Sequence, residues 1–163
     1  MEKMSLVTMI VQIIFDLAIL GIMIFAAISD GKTKQVPWWA MWTTLGIAVL
    51  HTVFAFGHYG IKEGFIYIGT GVVMALIYFI MLLIFKGKGI GGADSKMTTF
   101  LSLYLGLWPS LIMIVVHYIA AIGYKGYMSL AKHKTIKSVR LMIFLSIGYV
   151  VAKIIEWIAI FAL

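Results

Sequence analysis

The feature that leaves this chain the fewest options is a set of long apolar runs almost without charge. Residues 7–28 carry a single charged side chain, Asp16, and comparable runs cover 39–56, 65–85 and 139–162. About 20 apolar residues cross a bilayer as a helix. Across all 163 residues, 63% are hydrophobic and 12% charged, about half the charge of a soluble domain. The expectation is an all-α integral membrane protein forming one domain over 1–163. The first run is too long for a cleavable signal peptide and lacks a small-residue cut, so it is expected to remain as a span. With no cysteine there is neither a disulfide framework nor a thiolate zinc site. The net charge of +7 does not indicate nucleic acid, because the lysines sit beside apolar spans.

The stretch 97–122 reads first as one span, but Gly106-Leu107-Trp108-Pro109-Ser110 lies in its middle. Proline in the first turn of a helix, with glycine just before, marks a turn between two helices. The run therefore divides into a short fourth helix over 94–105 and a fifth over 109–130. Six transmembrane helices result, with helix four short and dependent on its neighbours for cover. Residues 30–37, 57–64 and 131–140 are expected as loops, and Trp38, Trp39 and Trp42 as an interfacial anchor. The loops after spans one, three and five hold Lys32, Lys34, Lys86, Lys88, Lys96, Lys125, Lys132, Lys134, Lys137 and Arg140. The opposite side holds Lys3 and Lys62. Basic residues concentrate in cytoplasmic loops, which puts those three loops inside and both termini outside.

Two of the six acidic residues then fall at one membrane depth. Asp30 closes span one and Asp94 opens helix four, both on the cytoplasmic side. A carboxylate at the edge of an apolar helix is costly and marks a functional site by default. Two close carboxylates cannot both ionise readily, so one serves as base and the other as acid on a shared water. This is the apparatus of an aspartic peptidase, and it needs neither metal nor cofactor. The plainer alternative is two snorkelling acids paired with Lys32 or Lys96.

The segment Gly89-Ile90-Gly91-Gly92-Ala93-Asp94-Ser95-Lys96 resembles the Gly-x-Gly-Asp motif of type IV prepilin peptidases and archaeal preflagellin peptidases, in which a lysine commonly follows two residues after the aspartate. Asp30 followed by Lys32, Lys34, Val36 and Pro37 is similar to that family's first catalytic segment. Ala93 stands where the motif usually has its second glycine. The resemblance covers nearly the whole chain. It implies an aspartic endopeptidase of the cell membrane, with Asp30 and Asp94 as catalytic pair. Gly89, Gly91, Gly92, Ala93 and Lys96 form its motif loop. The substrate would be a pilin-like precursor that loses its basic leader at the cytoplasmic face. Larger bacterial members carry a cysteine-bearing insert and also methylate the product. Without cysteine, and with only a short turn after span one, this chain resembles the minimal, peptidase-only branch. Presenilin-like proteases share the motif but are much longer, and Ser29 stands where they have tyrosine. The rival reading is a non-catalytic scaffold or small transporter subunit.

Asp16 lies fourteen residues before Asp30, roughly 21 Å along a helix, too far to share a water. Its depth matches that of Lys153, so a buried ion pair is expected there, with Glu156 as competing partner. His51 and His117 are expected to make interhelical hydrogen bonds rather than bind metal. Gly64, Gly69 and Gly71 are read as helix-packing positions, the methionines as apolar filling, and the basic loop 132–140 as touching anionic lipid headgroups. Within the aspartate pair, the helix N-terminus at Asp94 favours an anion, so Asp94 is expected to be the base and Asp30 to hold the proton.

Overall fold

The structure is a computed structural model and describes residues 6–84, 92–132 and 141–162. These form six α-helices: α1 Leu6–Thr33, α2 Trp38–His58, α3 Ile61–Ile84, α4 Gly92–Leu105, α5 Leu107–Lys132 and α6 Leu141–Ala162. All but α4 are long and apolar enough to cross a membrane. At 14 residues α4 is about 21 Å long.

The five long helices form a ring in which α1 packs on α2, α2 on α3, α3 on α5, α5 on α6 and α6 back on α1. Helix α4 stands inside it, packed on α2, α3, α5 and α6. This explains how a short helix with Ser95, Thr98 and Ser102 buried can exist in a bilayer, since the ring shields it from lipid. The outer face of the ring is apolar all round: Leu50, Leu83, Ile119 and Phe161 are each more than 60% exposed. Met23, Met97, Leu101, Met113, Met142 and Leu145 fill the interior. Methionine thus serves as apolar filling, as expected.

The face of α2 toward α4 is a stripe of small residues, Ala40, Thr44, Ala48, Thr52 and Ala55, all buried. Small side chains let backbones approach. The two threonine hydroxyls donate to Ala40 O and Ala48 O at 2.8 Å, so no polar atom is stranded. Gly71 meets Leu103 of α4, where an added Cβ would lie 3.1 Å from that side chain. Gly64 packs on Phe56, but Gly69 faces open space, so only two of the three glycines serve the packing expected of them. The tightest approach to another helix's backbone was not anticipated. A Cβ on Gly148 of α6 would sit 2.4 Å from Met113 O of α5.

Several helix ends differ from expectation by about a turn or more, and α3 begins at Ile61, inside the expected loop 57–64. Helix α1 runs on through Asp30, because nothing stops it before Pro37. It ends where Lys34 turns left-handed at φ 59° and its N–H donates to Asp30 O at 3.1 Å. Pro37 then caps α2, its carbonyl accepting from Ala40 N at 3.1 Å. Helix α5 begins at Leu107, so Pro109 falls within its first turn, where a missing N–H costs nothing. The split of 97–122 is real. Gly106 alone joins α4 to α5, at φ 74°, a conformation that glycine adopts without strain. Trp38 is 70% exposed at the start of α2, and the rings of Trp38 and Trp42 pack at 5.7 Å, as an interfacial anchor requires.

Candidate active site

Asp30 and Asp94 come from facing helices whose backbones stay apart. No Cα of α1 lies within 8 Å of one of α4 among the described residues, so only side chains bridge the space between them. Asp30 is half-buried on the last full turn of α1. Its peptide neighbourhood is held by the turn that follows, where Ser29 Oγ donates to Gln35 O at 3.2 Å and Thr33 Oγ1 to Ser29 O at 2.9 Å. Asp94 is half-buried in the first turn of α4, and Thr98 Oγ1 donates to its carbonyl at 2.9 Å.

Burial, and then the negative charge of Asp30, raise the Asp94 carboxyl from its ordinary value near 3.8 to about 6. The two acids expected to act together are therefore close enough to feel each other's charge. The helix N-terminus at Asp94, which favours an anion, is outweighed by desolvation. Within the pair Asp94 is thus the acid inclined to hold the proton, against the expectation that it is the base, because burial and the charge of Asp30 both disfavour its anion.

Of the motif residues, Gly92 and Lys96 are exposed and Ala93 is half-buried. Gly89 and Gly91 lie outside the described residues, as do positions 133–140 of the basic loop. A Cβ on Gly92 would meet nothing within 4 Å. Two residues near Asp94 were not singled out by sequence reading. Tyr78 of α3 is buried, hydrogen-bonds Thr98 and Tyr118, and lies within electrostatic reach of Asp94. Thr98 carried a sequence signal in its i,i+4 spacing from Asp94 on a buried face, whereas Tyr78 carried none.

A second polar cluster lies toward the other end of the bundle. Lys153 Nζ is 2.9 Å from Asp16 Oδ1 and 2.5 Å from Glu156 Oε2, so the expected pairing forms and the competitor joins it. Trp157 Nε1 donates to Asp16 Oδ2 at 3.0 Å, and Tyr104 OH donates to Oδ1. His51 Nε2 meets Gln12 Oε1 at 2.9 Å, the interhelical bond expected of it. His117, buried on α5, makes no such bond among the described residues, and Nδ1 of both rings lacks a partner there.

Asp30 and Asp94 thus lie within electrostatic reach of each other, on helices whose backbones stay apart. Comparison of the sequence gives the class: the family model of the type IV leader peptidase family matches residues 17–125. That span is two thirds of the chain and includes both Asp30 and Asp94, and the chain belongs to this family. No curated protein sequence and no solved structure matches it.

Proposed function

We propose that this leader peptidase is an aspartic endopeptidase that cuts the basic leader from pilin-like precursors at the cytoplasmic membrane face, with Asp30 and Asp94 as its catalytic pair. The observation that carries the assignment is the family match over 17–125, which contains both aspartates, and the effect of Asp30 on the half-buried Asp94 supports it. Asp30, whose negative charge bears on Asp94, takes a proton from a water held between the acids as the water oxygen bonds to the scissile carbonyl carbon. Asp94, inclined by burial and by that charge to hold the shared proton, gives it to the carbonyl oxygen, and the proton taken up by Asp30 goes to the departing amine as the C–N bond breaks. The carboxylates activate the water, so no metal is required. The cytoplasmic orientation is supported by the lysines clustered after α1, α3 and α5. Absence of cysteine and of an insert between α1 and α2 supports a peptidase without methyltransferase activity, of the kind that serves tight-adherence or archaeal filaments.

Purified protein in lipid is expected to cut a pilin-like precursor just before its hydrophobic segment. Asp30→Asn and Asp94→Asn should each lower the rate at least about hundredfold, the range for loss of a general acid or base, with helical content retained. EDTA should leave the rate unchanged. Membrane vesicles should cut added precursor only when inverted. Full activity in either Asn variant refutes the catalytic pair, and cutting by right-side-out vesicles refutes the orientation.

A further inference from the structure

A groove of about 610 Å³ opens to the lipid between α1 and α6, near the end of the bundle away from Asp30 and Asp94. Its walls include Leu20, Val150, Ile154 and Phe161, and Asp16 and Lys153 lie on its floor. Lipid tails can cover the walls but offer the floor no hydrogen bond, so a carboxylate side chain left 13% exposed there is unfavourable in hydrocarbon. Asp16 Oδ2 accepts from Trp157 alone among the described residues, although a carboxylate oxygen accommodates two donors. Asp16 and Glu156 against the single Lys153 leave the cluster formally one negative charge in excess, which suits a hydrogen-bond donor.

The groove is in register with the aspartate pair. Asp16 precedes Asp30 by fourteen residues on α1, roughly 21 Å, and fourteen steps of about 100° bring the two within about 40° of one face. Between them the α1–α6 seam is continuous, with Ser146 Oγ donating to Met23 O at 3.2 Å. We propose that this groove docks the hydrophobic helix of the precursor, and that Asp16 receives a hydrogen-bond-donating side chain about fourteen residues beyond the cut, the spacing that matches its depth. The proposal rests on the leader-peptidase reading above and adds where the uncut helix lies. Most of the groove belongs to α6, which falls outside the segment matched by the family model.

The test places a photo-cross-linking amino acid at Val150 or Ile154, and at Leu76 on the lipid face of α3 as control, in the Asp30→Asn background with precursor present. Precursor should cross-link from the groove positions well above the Leu76 control, through residues near the fourteenth past the cut. In otherwise wild-type protein, Ile154→Trp should raise KM about tenfold with kcat little changed, as loss of uniform binding requires. That effect should vanish for a precursor truncated soon after the cut. Cross-links to lipid or to a second copy of the chain, or none above control, overturn the proposal. So does an unchanged KM while the precursor is cut. Failure of the wild type to cut any precursor counts against the peptidase reading alone, and the cross-links still decide the groove.

Discussion

At Asp94 two influences oppose each other, and the buried one wins. The first turn of α4 offers free N–H groups to an anion. Desolvation, assisted by Asp30, still lifts the carboxyl to about 6. As this is above the ordinary value near 3.8, the folded state binds more protons than the unfolded one between those pH values. Stability from this group is therefore greatest at low pH and falls as pH rises through about 6. Two measurements check this. Asp94→Asn, which removes the buried charge, should unfold at higher temperature than wild type at pH 7.5 and lose that advantage near pH 4. In wild type, kcat/KM should fall about tenfold per pH unit above about 6, because the acid must carry its proton. A flat profile over that range would assign the acid elsewhere. Both aspartates were legible in the sequence because charge stands out in an apolar background. Tyr78 was not, since one tyrosine among eight carries no mark of its neighbours.

Among the helices, α4 and the α5–α6 pair show how packing selects residues. Helix α4 can be short and polar because five others surround it, and Gly106 lets it reverse into α5 within a single residue. At Gly148 a side chain would strike the carbonyl of Met113, and backbone cannot move aside as a side-chain tip can. Gly148→Val should cost about 1–3 kcal/mol or more by overpacking. Gly69→Ala, facing open space, should change stability by less than about 0.5 kcal/mol. Unfolding titrations in detergent compare the two, and equal losses would remove the distinction. Both residues are helical glycines in apolar runs, so composition could not separate them.

Across the whole molecule, the Asp16–Lys153–Glu156 cluster ties α1 to α6, and Tyr104 brings in α4. Breaking a buried ion pair strands a charge, whereas neutralising all its members strands none. Lys153→Met should cost about 3–5 kcal/mol, and Asp16→Asn/Lys153→Met/Glu156→Gln should recover most of that loss. Unfolding of both variants in lipid or detergent checks it. A triple variant no more stable than Lys153→Met would mean that the cluster's hydrogen bonds, not its charges, hold the helices.

Sequence alone determined the helical class, the number of helices, the split of 97–122 near Pro109 and the Asp16–Lys153 pair, and it singled out Asp30 and Asp94. Each depends on properties carried along one chain segment: apolar length, helix-breaking residues, and the cost of charge at a given depth in lipid. Tertiary structure alone decided that α4 lies at the centre of a ring and stands off from α1, that Gly148 rather than Gly69 marks a tight crossing, and that a lipid-facing groove exposes Asp16. Those depend on which faces of separate helices meet. Hydropathy measures how apolar a helix is, but lipid and protein interior are almost equally apolar. The order of helices around the bundle is set by side-chain fit and polar contacts, which become visible only once the helices are assembled.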